Sequence, residues 1–285
     1  MTQEEFRILT QNPVLLDGAT GSNLMKAGMP RGVSPELWNL ENPQILSKLQ
    51  EEYVQSGSQI VYAPTFTASA PYLADHGLED RLEELNRELV ALSRKAAKGA
   101  YVAGDLTTLG KPDISYETLL EVYGRQAKAL ADAGVDLFII ETMMGEEETM
   151  AAAEACKMAA ELPVMCSFSV TADGMLYFGG SVYDAAPDLE AFGADAVGIN
   201  CSCGPDQMVS VVRNLAEVLT VPIIAKPNAG MPSIDEKGNA VYSMDAKEFG
   251  IHMKAIREAG ATLLGGCCGT DPSYIRAVRE NLYGA

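Results

Sequence analysis

The chain has 285 residues, enough to bury the core of one large α/β domain or two smaller ones, and 39 Asp and Glu against 21 Lys and Arg give it a formal charge of −18. That balance argues against nucleic acid or an anionic membrane as partner, because a phosphate-binding surface needs clustered Lys and Arg. The opening Met1-Thr-Gln-Glu-Glu lacks the basic and apolar parts of a targeting segment, and no apolar run approaches the roughly 20 residues of a membrane span. Six cysteines without a secretory signal favour reduced thiols over a disulfide framework, so a cytoplasmic protein is expected.

In chain order, Pro13 to Ser22 opens as a short apolar strand that stops in the glycine-rich turn Asp17-Gly-Ala-Thr-Gly-Ser. A helix follows from Asn42 and Pro43, an Asn cap with Pro at the first helical position. Strand Ser58–Phe66, amphipathic helix Leu78–Lys98 and strand Ala100–Asp105 begin a strict alternation. It continues as helix Tyr116–Ala133, strand Asp136–Thr142, helix Glu146–Leu162, strand Pro163–Val170 and a short helix near Pro187–Phe192. Strand Ala194–Asn200, helix Asp206–Leu219, strand Val221–Pro227, helix Ala246–Ala259, strand Ala261–Gly265 and helix Pro272–Leu282 complete eight βα units.

Near-continuous apolar strands between amphipathic helices imply a parallel sheet covered on both faces, either a (β/α)8 TIM barrel or a doubly wound sheet. The barrel is preferred, as a single domain over 1–285. Asp17, Thr65, Asp105, Glu141, Ser167, Cys201, Asn228, Cys267 and Cys268 all stand at C-terminal strand ends, which a barrel gathers at one mouth.

Cys267 and Cys268 are adjacent in Gly265-Gly-Cys-Cys-Gly-Thr270, and neighbouring cysteines rarely bridge each other because the small ring strains the peptide between them. Metal ligation is the alternative, and a catalytic zinc site takes about three protein ligands with one position left open. Cys201, in Gly198-Ile-Asn-Cys, ends an apolar strand and supplies the third thiolate; Cys203 is a bystander or an alternate ligand. The competing reading makes all of them buried small hydrophobes, as is expected for Cys156 and Cys166. The Asp17 turn could cradle an anion on its amides or be a plain βα turn. Glu141 closes the apolar run Leu137–Ile140, where a carboxylate needs solvent or a cation such as a substrate ammonium. The trio Glu146-Glu147-Glu148 reads as a helix start favoured by the helix dipole. With two histidines, His76 and His252, in loop-like and helical settings, a histidine base or triad is not expected.

Together, Asp17-Gly-Ala-Thr-Gly, Gly198-Ile-Asn-Cys201 and Gly265-Gly-Cys-Cys-Gly-Thr270 resemble the homocysteine S-methyltransferase family over nearly the whole chain. The pattern is most similar to the homocysteine-binding domain of cobalamin-dependent methionine synthase, with betaine- and S-methylmethionine-dependent enzymes as more distant relatives. The resemblance implies a barrel with zinc on Cys201, Cys267 and Cys268. It also implies that Asp17, the turn Gly18, Ala19 and Thr20, and Glu141 hold the amino-acid end of homocysteine, with Asn228 beside the site. Two stretches depart from the family pattern: Ala63-Pro-Thr-Phe66 in place of Thr-Asn-Thr-Phe, and Thr107-Thr-Leu-Gly110 in place of Gly-Pro-x-Gly, both expected at the mouth. Neither histidine lies in the family's Asp-x-His-x-x-Gly cobalamin motif. The methyl donor is therefore expected from outside, as methylcobalamin on a separate corrinoid protein. An onium donor would instead ask for an aromatic cage, for which Tyr62, Phe66, Tyr177 and Phe178 are the candidates. A non-catalytic thiol- or zinc-binding module of a corrinoid complex is the third possibility.

Overall fold

The computed structural model describes residues 1–235 and 240–284. Eight parallel strands form the barrel: β1 (Val14–Leu15), β2 (Ile60–Tyr62), β3 (Tyr101–Thr107), β4 (Leu137–Met143), β5 (Val164–Phe168), β6 (Ala196–Asn200), β7 (Ile223–Lys226) and β8 (Leu263–Leu264). Consecutive strands from β2 to β8 are hydrogen-bonded neighbours, and β8 pairs with β1 through Val14 opposite Leu263. The seam between β1 and β2 is narrower than a full ladder. Gln59 N–H donates to Leu15 O at 2.7 Å, and Leu15 N–H to Gln59 Oε1 at 3.2 Å.

Side chains alternate along each strand, and one set fills the barrel: Val14 and Leu16, Ile60 and Tyr62, Ala103, Leu137 and Ile139, Met165, Ala196, Ile224 and Leu263. Phe6, on helix Gln3–Leu9, closes the end opposite the mouth. The same two-residue step continues upward to Asp105, Glu141, Ser167, Asn200 and Lys226, so the layer above the apolar interior is polar. The other set of strand residues packs outward beneath the helices. Helix Leu82–Ala97, for example, buries Leu82, Leu85, Leu89 and Val90 at helical spacing.

Most helices lie where the periodicity puts them: Pro43–Ser56, Tyr116–Asp132, Glu146–Ala159, Pro205–Val218, Ala246–Glu258 and Pro272–Tyr283. The first of these ends at Gly57, whose φ of 118° is open to glycine and strained for other residues. The helix expected at Pro187–Phe192 starts at Val182, with Pro187 inside it. Its buried stripe, Val182, Ala185, Ala186 and Leu189, extends the amphipathic pattern back beyond the proline. Helices Gly21–Lys26, Pro35–Glu41 and Ala70–Ala74 and the hairpin Pro232–Ile234/Ala240–Tyr242 have no counterpart in the sequence reading. Among the described residues no helix is long and apolar enough to cross a membrane.

Candidate metal and substrate site

The sulfurs of Cys201, Cys267 and Cys268 lie within 4.8 Å of one another, with Cys201 and Cys268 at 4.0 Å. Three sulfurs about 2.3 Å from a tetrahedral zinc would stand about 3.8 Å apart, so the trio fits such an ion with little adjustment, and an all-thiol donor set suits a soft or borderline metal. Backbone geometry aims them. Cys201 and Ser202 follow β6 in the left-handed region, at φ 60° and 61°, which non-glycine residues rarely adopt. The turn is held by Cys201 N–H on Lys226 O (3.0 Å), Ser202 Oγ against Ser169 Oγ (2.6 Å) and Val170 N–H on Ser202 Oγ (2.9 Å). After β8, Cys267 N–H donates to Pro227 O at 2.7 Å and Thr270 Oγ1 to Cys267 O at 2.8 Å.

Mutual hydrogen bonds set the three thiols apart in acidity. Hydrogen bonds from Cys201 and Cys267 pull Cys268 down to about 3. The same contacts, with burial, push Cys267 well above the ordinary thiol value. Cys201, drawn down by Cys267 but raised more by Cys268 and burial, ends at about 11. Cys203 stands apart: it is 5% exposed, packed in the outer core, and raised by burial to about 11. Cys156 and Cys166 are core residues, as expected.

Beside the sulfurs lies a cavity of about 310 Å³, at the small end of ligand sites, lined by the turn Asp17–Ser22, Tyr62, Asp105, Glu141, Thr142, Lys226 and the three cysteines. Both oxygens of buried Asp17 are engaged, by Tyr62 N–H at 2.7 Å and Lys226 Nζ at 2.9 Å. The Ala19 amide donates to Thr270 Oγ1 at 3.1 Å. Thr20, Gly21 and Ser22 begin helix Gly21–Lys26, whose first amides have no partner within the helix. Glu141 is almost fully buried; Lys226 Nζ lies 3.9 Å from its Oε2, which has no hydrogen-bond partner. Burial, opposed by Lys226 and aided by Asp17 and Cys201, raises its carboxyl to about 7. Asn228 lies behind the cluster rather than on the cavity wall. Its N–H bonds Cys203 O at 3.0 Å, and its Oδ1 is buried without a partner.

Lys226 and Asn200 join the site without any conspicuous chemistry in the sequence to mark them. Lys226, 3% exposed, lies 3.5 Å from the centre of the Tyr62 ring, and its carboxylate partners hold it charged against the effect of burial. Asn200, fully buried, accepts from Thr142 N–H (2.8 Å) and Ser167 Oγ (2.9 Å), and its Nδ2 approaches Cys267 Sγ at 4.0 Å. Strand parity was the available signal, because both close inward-facing series. Glu146-Glu147-Glu148 do begin a helix, and Glu148 is in addition a buried anchor, its carboxylate accepting from Thr108 Oγ1, Leu109 N–H and Tyr123 Oη at 2.6–2.8 Å. Those contacts place Thr107–Gly110 against that buried anchor rather than on the cavity wall, whereas Ala63, Pro64 and Phe66 do line it. Nor do the four aromatics make a cage, since Lys226 covers Tyr62, Tyr177 is 53% exposed, and Phe178 packs at Gly145 outside the cavity.

Fold and site define a (β/α)8 barrel with a three-sulfur, metal-type cluster at its C-terminal mouth. The chain belongs to the homocysteine S-methyltransferase family, whose pattern it matches over residues 14–282. It is 29% identical to the methionine synthase of Mycobacterium tuberculosis (strain ATCC 25618 / H37Rv) over 295–296 aligned positions, as it is to that of Mycobacterium leprae (strain TN). These alignments cover 95% of this chain but 24–25% of the relatives, so the chain spans about a quarter of their length. Among solved structures it superposes on the metallated homocysteine methyltransferase MmuM from Escherichia coli with a TM-score of 0.81 at 24% identity, covering 98% of this chain and 99% of that one. The apo form of the same enzyme gives 0.78 at 25% identity, covering 98% and 100%.

Proposed function

We propose that the protein is a zinc-dependent S-methyltransferase that converts homocysteine to methionine, with Cys201, Cys267 and Cys268 holding the metal and a separate methyl-corrinoid protein supplying the methyl group. The observation that carries this reading is the shared cavity, where three convergent sulfurs stand beside a buried carboxylate with an unfilled oxygen. Zinc bound there supplies the Lewis acidity that turns a thiol, mostly protonated at neutral pH, into its nucleophilic thiolate. The remaining roles belong to the chain. Glu141 takes the substrate ammonium through Oε2. Asp17 acts through Lys226, fixing it in place, and the turn Gly18, Ala19 and Thr20, its Ala19 amide held by Thr270 Oγ1, presents the amides of Thr20 and the adjoining helix start to the carboxylate. Asn228 and Asn200 brace the two cysteine loops, so the substrate sulfur meets the donor in one orientation.

An onium donor is the second enzymatic reading, and the covered Tyr62 ring speaks against a cage for it. Zinc-loaded protein should be given homocysteine with methylcobalamin, S-methylmethionine or betaine, and methionine measured. Methionine from methylcobalamin supports the proposal, and turnover with an onium donor alone would transfer it to the second reading. Homocysteine binding with no methionine from any donor would leave a thiol-binding module.

A further inference from the structure

One carboxyl in the cavity has no role in the reading above. Asp105 stands above Ala103 in the inward-facing series of β3 and lines the cavity with Glu141 and Lys226. It is 5% exposed, and Thr65 Oγ1 clamps its backbone, donating to Asp105 O at 2.9 Å and accepting from its N–H at 3.0 Å. Its Oδ1 has no hydrogen-bond partner. Lys226 is ion-paired with Asp17 at 2.9 Å and Glu141 at 3.9 Å, and among the described residues no cation pairs with Asp105.

We propose that Asp105 is a specificity-determining residue that, with Glu141, forms a two-carboxylate seat for the primary ammonium group of the thiol substrate. This rests on the amino-acid-thiol reading and adds to it a second ammonium-binding residue. A primary ammonium carries three N–H donors and no acceptor. The cavity walls offer three buried oxygens without partners, Asp105 Oδ1, Glu141 Oε2 and Tyr62 Oη, which match that valence. Charge agrees as well: the cavity lining holds three carboxyls, Asp17, Asp105 and Glu141, against the cation Lys226, and an incoming ammonium favours the ionised forms that burial opposes. Burial and the neighbouring Glu141 already hold Asp105 well above the usual carboxylate range, against the pull of Lys226, as befits a group awaiting a positive partner. A thiol without the ammonium gains nothing from the seat. A tertiary amine keeps the charge but has a single N–H, so it fills one oxygen of three.

The test uses the zinc-loaded full chain and compares homocysteine with 4-mercaptobutyrate, which lacks the ammonium, by calorimetry. Asp105→Asn is expected to weaken homocysteine by at least about tenfold and 4-mercaptobutyrate by less than about twofold at unchanged zinc content, because a charge-assisted hydrogen bond is replaced by a neutral one. On the unmodified protein, which avoids any folding defect, N,N-dimethylhomocysteine should bind several-fold more weakly than homocysteine. Equal losses for both thiols in Asp105→Asn, or undiminished binding of the dimethyl compound, would overturn the seat. If Glu141→Gln still discriminates the two thiols and Asp105→Asn leaves homocysteine untouched, Asp105 alone is wrongly assigned. Equal binding of both thiols by the unmodified protein would overturn the amino-acid reading along with it.

Discussion

One residue, Ser202, separates Cys201 from Cys203, and the backbone turn at Cys201 and Ser202 decides which sulfur meets Cys267 and Cys268. Cys201→Ala is expected to abolish stoichiometric zinc binding, whereas Cys203→Ala should keep a full equivalent and lose only core packing, on the order of 1 kcal/mol. Metal analysis with a denaturation curve separates the two. Glu141 carries a pH signature. Its folded carboxyl, raised to about 7 from the ordinary 4.5, adds most to stability below about pH 4.5 and loses that contribution as pH rises through 7. Glu141→Gln should therefore gain on the parent between pH 4 and 8, by up to about 3 kcal/mol in metal-free protein, while homocysteine affinity falls roughly 30-fold or more. A constant stability difference across that range would contradict the burial of its charge. At this scale the sequence displayed the cysteines and Glu141 because their chemistry is conspicuous against apolar strands. Lys226 and Asn200 were hidden because a lysine or asparagine at a strand end looks like a solvated terminus until barrel parity turns it inward.

Cys201 is aimed by β6, which approaches β7 closely at Gly198. A Cβ there would lie 2.0 Å from Ile224 O, and a backbone atom cannot yield as a side chain can. Gly198→Ala should cost about 3 kcal/mol or more and lower zinc occupancy, because Cys201 ends β6 and Lys226 ends β7. Thermal denaturation alongside zinc analysis would show it, and a variant of parental stability would mean the two strands are free to part. The eight βα units were legible because periodicity of 2 and of 3.6 alternates along the chain. The hairpin Pro232–Ile234/Ala240–Tyr242 was not, since its strands are only three residues long and mostly exposed, with no buried alternation to mark them. The short helices Gly21–Lys26 and Pro35–Glu41 span at most seven residues, too few for a periodic signal, yet both contribute to the cavity wall.

Across the whole molecule, the cluster ties the loop after β6 to the loop after β8, with β7 between them in the sheet. A metal bound there stabilises the folded state by mass action, about 4 kcal/mol at a thousandfold excess over its dissociation constant, so chelation should lower the melting temperature by roughly 10 °C. An unchanged melting temperature would mean that no metal binds the folded chain preferentially at this cluster, and would contradict the metal reading. The parallel barrel followed from the order of elements, and convergence at one mouth followed from the barrel. The shape of the cavity did not, because it depends on buried pairs such as Asp17 with Lys226, 209 residues apart in the chain. The most direct measurement is X-ray absorption at the zinc edge before and after homocysteine is added. Three sulfur neighbours should become four as the substrate thiol joins Cys201, Cys267 and Cys268; a count that stays at three would contradict thiol activation at this site.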